Sequence, residues 1–133
     1  MLQKLSKNRG GFTLVEIMIV VAIIALLAAI AVPNFLRARK RSQATRVLED
    51  LRMIDAAIDQ YAIETNKITG ATVSWSDVVG YLKQGSTLAN SGNRDLLGSS
   101  LGSFSVDTIP KVPSATFNAL SDVAPAEFWS PFK

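Results

Sequence analysis

Gly10-Gly11-Phe12-Thr13-Leu14-Val15-Glu16 opens an apolar run that reaches Leu36, and this stretch decides the fold. Between Phe12 and Leu36 only Thr13, Glu16, Pro33 and Asn34 are not apolar. A helix of that length is roughly 37 Å long, enough to cross a hydrocarbon core of about 30 Å. Glu16 sits near its start, although a charge in lipid costs roughly 3 kcal/mol or more, so the position needs a reason. The polar segment ahead of the run carries Lys4, Lys7 and Arg9 and no acid.

That arrangement resembles the prepilin family, which comprises type IV pilins and the pseudopilins of type II secretion. The matching residues are Lys7 and Arg9, Gly11 as last leader residue, Phe12 as new N-terminus, Thr13-Leu14-Val15, Glu16, the apolar helix and Pro33. The resemblance is dense from Met1 to about Phe35 and looser beyond. It implies cleavage after Gly11 by a membrane-embedded aspartyl prepilin peptidase, and N-methylation of Phe12. Glycine suits that position because a residue without a side chain lets a protease approach the scissile carbonyl.

The resemblance also implies that the Glu16 carboxylate meets the amino group of Phe12 in a neighbouring subunit. In hydrocarbon such a pair offsets two desolvation costs together and fixes axial register. A purely local role is the alternative, since the helix dipole favours a first-turn carboxylate that can snorkel to the headgroups. Pro33 is either a melting point that lets the helix extend on assembly or a tolerated membrane-helix kink. An ordinary secretory signal peptide competes for the whole region, with Ala29-Ile30-Ala31 as its cleavage site. Glu16 interrupts its apolar stretch, Pro33 would sit one residue past the new terminus, and the Gly-Phe-Thr-Leu-Val-Glu string would go unexplained. The exported chain would begin at Phe12 in one case and at Val32 in the other.

The net charge of +3 misleads, because removal of residues 1–11 reduces 14 bases to 11, matching the 11 acids. A global attraction to nucleic acid therefore has no support, and the run Arg37 to Arg41 lacks interleaved aromatics. The charges are nevertheless segregated: Arg37, Arg39, Lys40, Arg41 and Arg46 precede every acid except Glu16. Positive-inside counting is close to a draw, so a cytoplasmic N-terminus follows from the processing motif alone. Cys and His are absent, which removes disulfides, thiol chemistry, the commonest nucleophile–base pairs and most zinc sites. Many proteins of the resembling family close a C-terminal loop with a disulfide; this chain must hold that region by packing.

Beyond the apolar run, Ala44, Val47, Leu48, Leu51, Ile54, Ile58, Tyr61 and Ala62 recur at three- and four-residue spacing. Glu49, Asp50, Arg52, Asp55, Asp59 and Gln60 mostly take the other faces. The spacing predicts that the helix resumes past Pro33, kinked or locally melted there, and runs to about Thr65, with Asn66 and Gly70 as stop signals. The resulting order is a leader (1–11), a transmembrane half-helix (12–36), an amphipathic half-helix (37–66) and a small head (67–133). A head of that size is marginal alone and borrows core from the helix before it. Ser74 and Asp77 form the ends of a capping box. A short helix follows to about Gln84-Gly85, laying Trp75, Val78 and Leu82 on the core. Asp95-Leu96-Leu97-Gly98 resembles the turn before the first strand of G-type major pseudopilins, although the following residues depart from that pattern. Phe104-Ser105-Val106 and Thr116-Phe117-Asn118 are candidate strands of a small antiparallel sheet. Phe128, Trp129 and Phe132 read as an aromatic clasp on the tail.

The fold class is thus α+β, the lollipop form of the pilins: a long N-terminal α-helix with a small head of a short helix and an antiparallel sheet. The leading function is a structural filament subunit of a type IV pilus or type II secretion pseudopilus. Its implied partners are copies of itself, the prepilin peptidase, an inner-membrane assembly platform with its ATPase, and the membrane, with no nucleic acid. Its implied location is the bacterial inner membrane as a single-span precursor, then a periplasmic or extracellular filament. A membrane-anchored binding module that does not polymerise is the alternative. An enzyme ranks last, for want of an organised nucleophile, base and stabiliser. No cofactor is expected. Asp95, Asp107, Asp122 and Glu127 lack a dense ligand loop for calcium, so solvated acids are their default and no metal site is assigned.

Overall fold

The computed structural model describes residues 11–133, so the expected leader up to Gly10, with Lys4, Lys7 and Arg9, lies outside the described residues. The chain divides into two units at Arg37/Ala38. One helix, α1 (Leu14–Thr65), contributes to both. It runs through Pro33 as helix, as the resumed spacing predicts, with no melted turn there. It ends at Asn66, whose φ of 51° is left-handed. The Lys67 N–H then bonds back to Ala62 O at 3.0 Å, closing the last turn.

Within the unit from Ala38 onward, the stripe predicted by spacing is the buried one. Ala44, Val47, Leu48, Leu51, Ile54 and Ile58 are buried, joined by Ala57, while Tyr61 and Ala62 pack half-buried at its end. Each fully buried Val, Leu or Ile side chain contributes roughly 1.5–3 kcal/mol, so the helix supplies much of the cohesion that the later residues lack.

After α1 the chain forms β1 (Thr72–Val73), α2 (Trp75–Val79), β2 (Phe104–Ser105), α3 (Ser114–Ala119) and a 3-10 turn (Ala126–Trp129). The two strands pair antiparallel, Thr72 opposite Ser105 and Val73 opposite Phe104. Gly70 and Val106 extend the ribbon through the Gly70 N–H to Val106 O bond at 3.0 Å. The capping box opens α2 as expected: Asp77 accepts from the Ser74 N–H at 3.0 Å and from its hydroxyl at 2.6 Å. Those bonds hold the Asp77 carboxyl below the usual carboxylate range. The cap therefore stabilises at neutral pH and is lost as pH falls through that lowered pKa. Helix α2 is shorter than expected, since the chain turns after Gly80, although Val78 and Leu82 are buried and Trp75 half-buried as anticipated.

Thr116-Phe117-Asn118 is helix, not strand. Pro113 sets the entry with φ −57°, and Thr116 and Leu120, four apart, are the buried pair on one helical face. The sheet consequently has two strands among the described residues.

Asp95 organises the loop between α2 and β2. Its carboxylate accepts from the Leu97 N–H at 3.0 Å and the Ser99 N–H at 2.8 Å, and from the buried Thr116 hydroxyl. The turn predicted at Asp95–Gly98 forms, with the Gly98 N–H on Asp95 O at 3.0 Å and φ +85° at Gly98. Asp95→Ala is expected to leave these donors unsatisfied and lower stability by about 2–4 kcal/mol. Urea unfolding of the detergent-solubilised chain checks this as a lower midpoint at unchanged slope.

Packing and hydrogen bonds hold the disulfide-free tail. Trp129 is fully buried, donates its indole N–H to Ala124 O at 3.2 Å, and meets Phe128 edge-on at 5.3 Å. Phe132 is buried, and its carbonyl accepts from the Val112 N–H at 2.7 Å.

Candidate assembly site at the amino end of the helix

Gly11, Phe12 and Thr13 are non-helical and exposed, so the bond after Gly11 lies in open backbone immediately before α1. Thr13 caps the helix that follows. Its hydroxyl accepts from the Glu16 N–H at 3.2 Å, and the Glu16 carboxylate accepts from the Thr13 N–H at 3.2 Å. This is a capping box, which satisfies two of the orphan donors at the helix start. The spacing Thr13-Leu14-Val15-Glu16 already carried that signal, and reading Glu16 only for its charge overlooked it. Glu16 remains exposed.

From Leu14 to Leu36 every side chain is exposed, with Leu26, Ile30 and Phe35 each more than 60% accessible. The core helix of a water-soluble protein would be covered over this length. Among the described residues nothing covers it, and the helix is long and apolar enough to cross a membrane. Pro33 is exposed within it, and its missing N–H leaves the carbonyl four residues earlier without its usual donor.

Three of the four acids considered for calcium do other work. Asp95 is engaged as described, Asp107 accepts from the Thr69 hydroxyl at 2.5 Å, and Asp122 pairs with Lys40 at 3.1 Å. Among the described residues no three acids gather as a ligand set. The basic run is not uniform either, since Lys40 is tied down by Asp122 while Arg39 and Arg41 remain exposed.

A capped, uncovered apolar helix that runs on into a small α+β head defines a class of protein built around its N-terminal helix. The prokaryotic N-terminal methylation motif matches residues 6–32. The chain is 46% identical over 63 residues to the type IV wide pilus major component PilA4 of Thermus thermophilus, covering 47% of this chain and 48% of that one. It is 41% identical over 66 residues to the type IV major fimbrial protein FimA of Dichelobacter nodosus, covering 50% and 41%. It is also 35% identical over 61 residues to the type II secretion system core protein G of Klebsiella pneumoniae, covering 46% and 44%. The matched stretch is thus about half the length of these relatives. No solved structure gives a significant match. Over its amino-terminal half the chain is thus similar to type IV pilus subunits and to a type II secretion core protein, and it carries the methylation motif they lead into.

Proposed function

We propose that this protein is the structural subunit of a type IV pilus-like or type II secretion pseudopilus filament. One observation carries the proposal: an exposed Gly11-Phe12 bond leads directly into a capped helix whose first turn holds an acid and whose next six turns have no cover. Cleavage after Gly11 by the prepilin peptidase frees the amino group of Phe12, which is then N-methylated. The precursor waits as a single-span protein of the bacterial inner membrane. An assembly platform and its ATPase then draw it into a periplasmic or extracellular filament. There the apolar half-helices pack on one another, so burial against neighbours replaces burial in lipid. Glu16 turns its carboxylate to the amino group of an adjacent Phe12, and Pro33 supplies a point at which the helix can yield on assembly.

The test is electron microscopy of sheared material from cells making the protein, with mass spectrometry of its terminus. Thin filaments whose subunit begins at methylated Phe12 are expected. A chain beginning at Val32, or one that stays with the membrane and forms no filament, would overturn the proposal. The second result would favour an anchored binding module.

A further inference from the structure

The second half of α1 carries its charges in two blocks. Arg37, Arg39, Lys40, Arg41 and Arg46 come first, and Glu49, Asp50, Asp55, Asp59 and Glu64 follow with Arg52 as the lone base. Some are engaged within the chain: Lys40 with Asp122, Arg46 as donor to the Thr87 hydroxyl at 2.9 Å, and Glu64 as acceptor from Tyr81 at 2.7 Å. Arg39, Arg41, half-buried Asp55 and exposed Asp59 form no ion pair; Lys40–Asp122 is the single one among the described residues. Lys67 shares a groove with Asp59 without closing one. Asp55 and Asp59 are like charges four residues apart, an arrangement that destabilises an isolated helix. Burial and then the Asp59 charge push the Asp55 carboxyl above its ordinary pKa. The helix therefore ends the folding process with two unneutralised poles.

Their spacing is regular. Arg41 and Asp59 are separated by about five turns, so they leave the helix on the same side about 27 Å apart. The screening length at physiological salt is about 8 Å, so each pole senses only what lies directly beside it. Two parallel copies in register would set arginine against arginine and aspartate against aspartate, which is repulsive. Sliding one copy along its axis by the pole separation sets opposite charges side by side.

We propose that a second, parallel copy of this chain, advanced by about five helical turns, docks its Arg41 on the Asp55–Asp59 face of the first and so sets their axial stagger. This rests on the filament function above and specifies which neighbour touches which surface. Opposite poles on one helix make the surface self-complementary, so every copy offers both halves of the contact and the pairing propagates.

The chain has no cysteine, so Arg41→Cys/Asp59→Cys introduces the sole thiols. At about 27 Å apart on one helix they cannot join each other, because a disulfide needs Cα atoms within about 7 Å. Oxidised filaments of this variant are expected to run as a ladder of multimers without reductant, and either single-cysteine variant as monomer. Intact filaments that still run as monomer would overturn the stagger. A charge exchange gives an independent reading. Arg41→Asp and Asp59→Arg should each lower filament yield by about tenfold, and the double exchange should recover most of it. Failure of the double exchange to recover would count against the contact. So would a loss confined to Arg41→Asp and relieved by anionic lipid, since that pole would then face the membrane. If the unmodified chain forms no filaments, both this inference and the filament function fall; filaments without cross-link or rescue remove the stagger alone.

Discussion

Replacing Glu16 by alanine is expected to leave the precursor cleaved and inserted while removing most of the filament. The residue has two possible duties with different chemistry. In the chain as folded its carboxylate caps α1 through the Thr13 N–H at 3.2 Å, a role worth about 1 kcal/mol. In the proposed filament the same carboxylate pairs with a neighbour's Phe12 amino group, away from water. Removing one partner of a buried ion pair costs about 3–5 kcal/mol, because the other charge is left unpaired. That corresponds to a loss on the order of a hundredfold or more in association constant, far above the capping term. Glu16→Gln separates the two duties. Glutamine serves the third helical position of a capping box almost as well as glutamate, but carries no charge. Filament yield should collapse for both variants if the ion pair governs assembly, and only for alanine if the cap does. Sheared-fraction immunoblots, with membrane-fraction blots as the control for insertion, read both outcomes. Normal yield from Glu16→Ala would remove Glu16 from the assembly contact.

Gly11→Val is expected to stop maturation before assembly is reached. Gly11 and Phe12 lie in non-helical backbone, so the scissile bond is presented without any helix having to unwind. A β-branched side chain beside the carbonyl keeps the catalytic groups of a peptidase from closing on it. A displacement of about 1 Å at a reacting centre is enough to slow chemistry by about a hundredfold. The uncleaved precursor would carry residues 1–11, and with them three further bases, ahead of Phe12. No free Phe12 amine would exist to meet Glu16. Precursor-sized protein in the membrane fraction and no filaments are expected. A mature-sized product beginning at Phe12 would contradict the assignment of Gly11.

These two variants fail at different steps, and the difference is informative. Gly11→Val accumulates precursor, whereas Glu16→Ala accumulates mature protein that does not leave the membrane. A chain acting as an anchored binding module would lose little from either change, since its head folds on the stripe from Ala44 to Ile58 and not on the first turn.

The amino end was legible in the residues because its chemistry is local. Membrane length is a property of consecutive residues, and the stop at Asn66 needs only a residue tolerant of left-handed backbone. The helical stripe was legible for a similar reason, since a 3.6-residue period can be counted without knowing what covers it. Ala57 was left off the stripe although it stands three residues after Ile54, and the structure buries it. The Ser74–Asp77 box was read correctly, and the matching Thr13–Glu16 box was missed because the charge of Glu16 drew the interpretation toward a partner.

By itself the amino-acid order determined an apolar helix of membrane length, an acid in its first turn, and an amphipathic continuation. All three are set by residues within a few turns of each other. The tertiary structure alone decided how Thr116 is used, since its alternation with Phe117 and Asn118 suits a strand until Asp95, 21 residues away, takes its hydroxyl. It alone decided that Lys40 pairs with Asp122, 82 residues on, while Arg39, Arg41, Asp55 and Asp59 form no ion pair among the described residues. Such pairings depend on the closure of long loops around one core, and no window of neighbouring residues contains that information.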